Sequence, residues 1–251
     1  MSEARIALIT DFGMQDPYVA AVKGVISART DAPIIDLSHE IEPFDIFQAA
    51  WFLRGIVRYW PGATIFMVVV DPGVGTSRRI LALRSEGKVF LAPDNGVLTF
   101  IEGEARAVEK ESLFLPGGGT TFHGRDRFAP VAAALANNFP FDDLGPLIMD
   151  RVRLDYTEPC YSGERITGTI VSIDRFGNAI TDVEAARIPF SRFQLRVGDA
   201  TIARRSTTYS EDGSFMIVGS TGCIELSVAG GSAAALLQLR RGDRVSVIPT
   251  A

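Results

Sequence analysis

The stretch Ala63-Thr64-Ile65-Phe66-Met67-Val68-Val69-Val70 is the most hydrophobic strand candidate in the chain, and the turn Asp71-Pro72-Gly73-Val74-Gly75-Thr76 follows it directly. Apolar residues at both alternating positions are typical of a strand that is buried on both faces. Such strands occur mainly in parallel sheets that helices cover on both sides. The stretch therefore predicts an α/β layer structure built around this strand.

Strand and helix patterns alternate through the first part of the chain. Asp16 and Pro17 are typical of a helix N-cap followed by proline at the first helical position, which predicts a helix from there to about Arg29. Phe44 to Tyr59 carries apolar residues at helical spacing. The alternation predicts an α/β N-terminal domain with a largely parallel sheet, over residues 1–150. The other predicted elements are strands at Ile6–Ile9, Pro33–Leu37, Ile80–Arg84 and Val89–Ala92 and a helix containing Val131–Ala136.

The pattern changes in the second part. Residues 139–164 are rich in Pro, Asp and Gly and have no sustained period, which indicates a linker. Strand patterns dominate after it, and one short helix is predicted from an N-cap at Ser232 through Ala233–Leu239. We expect an all-β, barrel-like C-terminal domain over residues 151–251. Its predicted strands are Ile166–Ile173, Gln194–Val197, Phe215–Val218, Cys223–Val228 and Arg244–Ile248.

Composition excludes several classes of protein. The chain of 251 residues has a net charge of −5 and no basic run, so it is a poor candidate for binding nucleic acid or an anionic membrane. The longest apolar run, Ile65–Val70, is far too short to span a bilayer, and no secretory signal is recognisable. The only cysteines, Cys160 and Cys223, have no metal-ligand neighbour at CxxC spacing. These features predict a cytoplasmic protein.

Several polar residues follow predicted strands or precede predicted helices. Asp11 and Asp71 come directly after apolar strands, where parallel sheets bind ligands, although Asp is also common in solvated turns. Gly117–Gly119 precedes a helix and could cradle an anion, but its spacing matches no nucleotide-phosphate motif. The two histidines, His39 and His123, lie far apart without metal-ligand spacing, so a metal site is not expected, and His39 is interpreted as a strand-end residue.

In the second part, a polar turn interrupts a strand pattern, and we call this segment the polar break. Its sequence is Ser172-Ile173-Asp174-Arg175-Phe176-Gly177-Asn178-Ala179-Ile180-Thr181. An Asn side chain offers a donor and an acceptor together and so can bind an adenine edge, and a Phe ring can stack on the base. The alternative is a simple hairpin turn, which Asp, Gly and Asn also favour.

Five motifs, in order and spread over the chain, resemble those of the S-adenosyl-L-methionine hydroxide adenosyltransferase family, the water-using relatives of the fluorinases and chlorinases. The family fold, an N-terminal α/β domain and a C-terminal β-barrel, agrees with the division above. The five motifs are Thr10-Asp11-Phe12-Gly13, Asp71-Pro72-Gly73-Val74-Gly75-Thr76, Pro93-Asp94-Asn95-Gly96, Phe122-His123-Gly124-Arg125-Asp126 and Ile173-Asp174-Arg175-Phe176-Gly177-Asn178.

The resemblance implies roles for particular residues. The family's catalytic set of an Asp, an Arg seven residues later and a His falls on Asp71, Arg78 and His123, and the acid that binds the ribose diol falls on Asp11. Arg79 is adjacent to Arg78, so spacing alone selects between them. The remaining substrate-binding positions are Phe44, Asp174, Phe176, Asn178, Ser220, Glu225 and the backbone near Val228.

The resemblance also implies an activity, which is hydrolysis of S-adenosyl-L-methionine to adenosine and methionine by in-line attack of water on the ribose 5′ carbon. It implies no cofactor or metal, and a homotrimer whose sites lie between the N-terminal domain of one subunit and the C-terminal domain of the next. In the halogenases a hydroxyl-bearing aromatic replaces the acid that Asp71 retains here. Asp182 departs from the family pattern, which has Asn.

Three other functions remain open from the sequence. One is a halogenase that uses a halide as the nucleophile. Another is a non-catalytic protein that binds adenosine or S-adenosyl-L-methionine. The third is an α/β enzyme that binds phosphate at Gly117–Gly119.

Overall fold

A computed structural model describes residues 4–162 and 165–250. The chain divides into two compact units, Met1–Asp155 and Tyr156–Ala251, a few residues beyond the predicted boundary at 150. Residues 163 and 164, at the end of the predicted linker, lie outside the described residues, as do the chain ends at 1–3 and 251. The earlier part of that linker is ordered into the first unit, where residues 141–144 form a 3₁₀ turn and residues 147–148 form an edge strand.

The first unit is built on a seven-stranded sheet with the order β2-β1-β3-β5-β4-β6-β7. Strands β2, β1, β3 and β5 are parallel neighbours, and β4 is antiparallel to both β5 and β6, so β6 runs in the same direction as the first four. Five of the seven strands therefore share one direction, since only β4 and β7 oppose it. The strands are β1 (Arg5–Thr10), β2 (Ile34–Ser38), β3 (Thr64–Val69), β4 (Ile80–Ser85), β5 (Lys88–Pro93), β6 (Glu104–Ala107) and β7 (Leu147–Ile148).

Helices cover both faces of this sheet. Helices α1 (Tyr18–Ser27) and α3 (Ala129–Ala136) pack together on one face, and α2 (Ile46–Ile56) packs on the other. Asp45 caps α2 by accepting a hydrogen bond from the Gln48 backbone N–H (2.9 Å). None of the helices among the described residues is long and apolar enough to cross a membrane.

Strand β3 shows why the chain adopts three layers. Its alternate residues Ile65 and Met67 belong to the core beneath α1 and α3, whereas Phe66 and Val68 belong to the core beneath α2. All of β3 is buried. A strand with apolar side chains on both faces is stable only between two covering layers, so the decisive stretch of the sequence fixes a helix–sheet–helix sandwich.

The second unit is an antiparallel, barrel-like sheet with the order β11-β10-β14-β8-β9-β13-β12. A bridge between Arg205, just beyond β11, and Met216 of β12 brings the two edges together and nearly closes the barrel. A short helix, α4 (Ala233–Leu236), begins at the predicted N-cap Ser232. The strands are β8 (Ile166–Ile173), β9 (Ala179–Glu184), β10 (Phe193–Val197), β11 (Ala200–Ile202), β12 (Ser214–Val218), β13 (Cys223–Val228) and β14 (Arg244–Pro249).

Some local expectations were wrong. Helix α1 begins at Tyr18, the N-cap position belongs to Pro17, and no side chain caps the helix, so Asp16 does not have the predicted role. The sequence pattern also missed β6, β7, β9 and β11, and β7 lies within the predicted linker. Strand β9 contains Thr181 and Asp182 at buried positions, and these polar residues hide the alternation that identifies a strand.

Phe66→Ala is expected to lower the free energy of unfolding by about 3–5 kcal/mol, because it removes a fully buried ring. Phe66 stacks on Phe90 with the ring centroids 5.0 Å apart. Urea unfolding followed by circular dichroism would measure the change, and Met149→Ala, which alters an exposed side chain of the same unit, should change the free energy by less than about 0.5 kcal/mol. Equal effects of the two substitutions would contradict the two-core description.

Candidate active site

Three neighbouring parallel strands end at the same edge of the first sheet. Strand β2 is followed by His39, β1 by Asp11 and β3 by Val70 and Asp71. Thr10 pairs with Val69 in the β1–β3 ladder, so Asp11 and Asp71 lie near each other. Burial raises the pKa of Asp11, and the charge of Asp71 raises it further. Two carboxyl groups therefore gather at the edge where parallel sheets bind ligands.

Arg78 joins Asp71 to His123. Its Nε lies 3.0 and 2.9 Å from the two Asp71 carboxylate oxygens. Its Nη2 donates both to Asp71 Oδ2 and to His123 Nδ1, the latter at 2.9 Å. The side chains of Arg78 and Asp71 are only 9% and 5% exposed. One nearly buried guanidinium thus fixes the relative positions of a carboxylate and an imidazole that lie 52 residues apart in the chain (123 − 71).

His123 lies at the start of a π-helical turn, Gly124–Phe128, which leads into α3. An Arg side chain can only donate, so Nδ1 of His123 is an acceptor and the neutral ring carries its proton on Nε2. Burial is the main cause that lowers the pKa of His123, and the positive charges of Arg127 and Arg78 lower it further. The Nε2 atom is buried and has no hydrogen-bond partner among the described residues.

The adjacent Arg79 has a different place in the structure. Its Nε donates to Asp94 Oδ2 (2.7 Å) and its Nη1 to Asp150 Oδ1 (2.8 Å). Asp94 Oδ1 also accepts from the Val152 backbone N–H (2.8 Å). Arg79 and Asp94 therefore hold residues 150–152 against the rest of the first unit. Of the two arginines, Arg78 is the one that donates to Asp71.

A cavity of about 760 Å³ opens beside these groups. Asp11, Phe44, Asp71 and His123 all line it. The Phe44 backbone has a left-handed φ of 67°, its N–H donates to Asp11 Oδ2 (2.9 Å), and its ring is 68% exposed. This hydrogen bond opposes the effect of burial on the pKa of Asp11. The cavity thus presents carboxylates and an imidazole beside an exposed aromatic ring.

Two features of this cavity were missed from the sequence. Phe12, Tyr18 and Phe122 form an aromatic cluster in its wall, with ring centroids 5.3–5.9 Å apart. Asn95 Nδ2 donates to the carbonyl of Val70 (2.9 Å), which steadies the backbone just before Asp71. Phe12, Phe122 and Asn95 all lie inside motifs that the sequence analysis singled out, so their position next to acids and a histidine was the available signal.

The second unit has its own pocket of about 550 Å³, lined by Asp174, Phe176, Asn178, Tyr209 and Val228 together with two glycines. Asp174 Oδ1 accepts from the backbone N–H groups of Phe176 and Asn178 (2.9 Å each), and Oδ2 accepts from Asn178 Nδ2 (2.8 Å). The Phe176 ring is 78% exposed. The polar break predicted from the sequence is thus an Asp-centred turn that presents an amide and an aromatic ring.

Tyr209 was also missed, and it connects this pocket to Glu225. Its hydroxyl donates to Glu225 Oε2 (3.0 Å). Burial and this hydrogen bond raise the pKa of Tyr209 to about 12, and burial raises the pKa of Glu225. Gly219 packs so closely on the Glu225 carboxyl group that a Cβ would overlap it. Ser220 lies in the exposed turn between β12 and β13, outside the described lining of the pocket.

The glycine-rich loop does not form an open anion site. The Gly118 N–H donates to the carbonyl of Leu115 (3.1 Å), and the Gly119 N–H donates to Asp126 Oδ2 (2.9 Å). The Asp126 carboxylate therefore occupies the place that a phosphate would need, and Arg125 Nε neutralises it at 2.6 Å. The N–H groups of Gly118 and Gly119 are therefore already engaged, which argues against phosphate binding at Gly117–Gly119. Nor do the described residues contain three or more His, Cys, Asp or Glu side chains arranged to hold a metal ion.

Asp182, which departs from the family pattern, has a structural role in the barrel. Its Oδ1 accepts from the Thr169 backbone N–H (2.7 Å), and its Oδ2 accepts from the Tyr156 hydroxyl (3.1 Å). The residue is 2% exposed. Its carboxylate therefore joins β9 to β8 and to the start of the second unit.

Comparison with known proteins agrees with this architecture. Residues 6–145 match the SAM hydroxide adenosyltransferase N-terminal domain, and residues 168–246 match the C-terminal domain of the same family. The chain is 37% identical to a protein of Thermus thermophilus named (R)-S-adenosyl-L-methionine hydrolase, over 97% of this chain and 99% of that protein. A fluorinase of an Actinoplanes species is 29% identical over 76% of this chain and 77% of its own length.

The fold has a close counterpart among solved structures. An uncharacterised conserved protein from Thermotoga maritima superposes with a TM-score of 0.91 at 32% identity, over 97% of this chain and 99% of that chain. The two units thus define an α/β domain followed by a β-barrel domain. The chain belongs to the SAM hydroxide adenosyltransferase family.

Arg127→Gln is expected to raise the pKa of His123, because it removes one of the positive charges that disfavour the imidazolium. An NMR titration of the His123 ring would measure the change. Arg84→Gln is the matched control, since Arg84 also stacks on a phenylalanine of the first unit but does not act on His123. A shift in the opposite direction would contradict the electrostatic description of the site.

Proposed function

We propose that the chain hydrolyses S-adenosyl-L-methionine to adenosine and L-methionine, and that Asp71, Arg78 and His123 direct a water molecule at the ribose 5′ carbon. The single observation that carries the proposal is the bridge from Arg78 to Asp71 and His123 beside a cavity large enough for a nucleoside. The names of the full-length relatives support the same reaction.

The reaction needs an oriented nucleophile more than it needs a strong acid. The oxygen of water forms a bond to C5′, the C5′–S bond breaks, and methionine leaves as a neutral thioether because the sulfonium already carries a positive charge. Holding the water in line with the departing sulfur supplies much of the rate gain. A preorganised set of charged groups in a nearly buried site adds electrostatic stabilisation.

The tautomer of His123 assigns separate tasks to the imidazole and the carboxylate. Because Nδ1 accepts from Arg78, Nε2 carries the proton and orients the water as a hydrogen-bond donor. His123 in this state cannot take the proton that the attacking water loses. Asp71 is the acceptor for that proton, since its carboxylate oxygens have lone pairs beyond those that Arg78 uses.

Substrate binding uses residues of both units. Asp11 binds the two ribose hydroxyls, since a carboxylate offers two acceptors to a cis-diol. Phe44, exposed at the cavity, contacts the nucleoside. In the second unit, Asn178 and Phe176 hold the adenine, Asp174 and Ser220 hold the amino-acid part, and Glu225 and the backbone near Val228 complete the site. Because the relatives are named for the (R) form of the sulfonium, we propose the same form here.

Two alternatives have less support. A halide nucleophile would approach the Asp11 and Asp71 carboxyl groups, and an Asp71 carboxylate would repel it. A protein that only binds the nucleoside would not need a buried guanidinium to fix an imidazole against a carboxylate. Hydrolysis uses both the Asp71 carboxylate and the guanidinium that fixes the imidazole against it.

The assembly belongs to the same proposal. We place the site between the first unit of one subunit and the second unit of the next, in a homotrimer. The support is that each unit carries its own part of the binding residues and neither pocket contains the whole set. A cytoplasmic location is proposed as well, because the two cysteines of the sequence cannot form the disulfide framework that is typical of small secreted proteins.

Arg78→Gln and Asp71→Asn are expected to reduce adenosine release by about two to four orders of magnitude while adenosine binding persists, because they remove the groups that fix the water. Chromatography of the products after incubation with S-adenosyl-L-methionine measures the rate. Arg79→Gln is the control, expected to lower stability through its ion pair with Asp94 and to leave turnover near the wild-type value. Unchanged turnover in Arg78→Gln, or a halogenated nucleoside in the presence of chloride or fluoride, would refute the proposal.

A mixing experiment tests the shared site. Asp71→Asn and Asn178→Ala should each be inactive alone, but subunits mixed after unfolding and refolding together should regain about a quarter of wild-type activity, because each site draws one half from each of two randomly chosen subunits. Activity near zero in the mixture would place each site within one subunit. Refolded wild-type protein sets the scale.

A further inference from the structure

We propose that His39 is a positioning residue that braces the turn carrying Asp11 and thereby sets the affinity of the protein for a ribose diol. The inference rests on the proposed function in one respect, since it takes Asp11 as the group that binds the ribose hydroxyls. The sequence offered only a strand-end histidine. The structure gives it contacts on both sides of Asp11.

An irregularity in the sheet brings His39 to this place. In the β1–β2 ladder Leu8 pairs with Asp36, but the next residue, Ile9, pairs with Ser38, so the register shifts by one residue. The shift means that β2 has one extra residue between these two pairs. His39 then lies beside Thr10, where Asp11 leaves the sheet.

His39 contacts the turn on both sides of Asp11. Its Nδ1 lies 2.8 Å from Thr10 Oγ1, and that hydroxyl oxygen also accepts from the Phe12 backbone N–H (3.3 Å). The carbonyl of His39 accepts from the Gly13 backbone N–H (2.8 Å). The residues before and after Asp11 are therefore both tied to His39. With the bond from the Phe44 N–H to its carboxylate, these contacts leave Asp11 little freedom to rotate or shift.

A charged pair at the surface orients the imidazole. Lys23 Nζ donates to Asp36 Oδ2 (2.8 Å), and Asp36 Oδ1 lies 3.1 Å from His39 Nε2, at ion-pair distance but off the line of a linear hydrogen bond. A proton on Nε2 faces this carboxylate, which leaves Nδ1 to accept from the Thr10 hydroxyl. His39 is 5% exposed and Thr10 is 1% exposed, so water does not compete for their hydrogen bond.

If His39 only filled space, its replacement would not change the affinity for one part of the ligand selectively. A brace on Asp11 affects only ligands that use Asp11. The two possibilities differ in how the protein discriminates adenosine, which has the ribose diol, from 2′,3′-dideoxyadenosine, which lacks it. Both nucleosides present the same base, so the comparison isolates the sugar contact.

The test compares matched variants of His39 and Thr10. His39→Phe removes the side-chain contacts with Thr10 and Asp36, keeps a ring, and leaves the backbone bond from Gly13 in place. His39→Asn places a polar atom near the position of Nδ1 and keeps the bond to Thr10. Thr10→Val removes only the hydroxyl, and Thr10→Ser retains it. Titration calorimetry of the full-length protein with each nucleoside gives the dissociation constants, and thermal unfolding reports whether each variant is folded.

His39→Phe and Thr10→Val should weaken adenosine binding about tenfold, the effect of losing one well-placed hydrogen bond. Both should leave 2′,3′-dideoxyadenosine binding within about twofold of wild type. His39→Asn and Thr10→Ser should behave nearly as wild type. If these two variants weaken the binding of both nucleosides equally, the proposal is overturned and His39 is a structural residue. Unchanged adenosine binding in both variants would also overturn it. If His39→Phe fails to fold, Thr10→Val decides alone.

Hydrolysis of S-adenosyl-L-methionine by the wild type is assayed separately. A wild type that prefers adenosine over the dideoxy nucleoside, loses this preference in Thr10→Val, and releases no adenosine from S-adenosyl-L-methionine would support the brace and refute the proposed reaction. A wild type that hydrolyses S-adenosyl-L-methionine while Thr10→Val keeps the full preference would refute only the brace.

Discussion

A single buried guanidinium holds the site of this protein together. Arg78 donates to the Asp71 carboxylate through Nε and Nη2 and uses Nη2 again for the His123 ring. Burying such a charge is costly unless a carboxylate or another acceptor compensates it, so Asp71 and His123 offset part of the cost of burying Arg78. The same contacts fix the tautomer of the imidazole, which makes the chemistry of His123 a consequence of the position of Arg78.

The parallel sheet explains why these residues meet. Strands β2, β1, β3 and β5 run side by side in one direction, and each is followed directly or after one residue by a polar residue, namely His39, Asp11, Asp71 and Asp94. Of these, Asp11 and Asp71 line the cavity, His39 contacts the turn that carries Asp11, and Asp94 accepts from Arg79 and from the Val152 backbone N–H. The edge of one sheet therefore supplies both the reactive groups and their supports.

Hydrophobic patterning predicted most of the fold because β1 and β3 are largely apolar runs and β13 carries apolar residues at alternate positions. The prediction failed for elements that are stabilised by contacts between distant residues and that lack a clear hydrophobic alternation. Strand β9 is held by the buried Asp182, and β6 is a short strand of mixed polarity. The start of α1 was also misplaced, since proline fixes the backbone there without any capping side chain. Periodicity carries no information on such side-chain contacts.

The site was less accessible from the sequence than the fold. Motif resemblance indicated Asp71, Arg78 and His123, but only the spacing from Asp71 separated Arg78 from Arg79. Their partners differ, being residues 71 and 123 for the first and residues 94 and 150 for the second, and local pattern does not identify them. The roles of His39, Asn95 and Tyr209 likewise depend on contacts between distant residues, which only the folded chain brings together.

The neighbouring arginines also make the site sensitive to the number of residues between Asp71 and Arg78. Deletion of one residue between Asp71 and Arg78 would give Arg79 the spacing from Asp71 that Arg78 now has, and would shift it away from its present place beside Asp94. The number of residues in this loop therefore matters to the site as much as the chemistry of the side chains at its two ends.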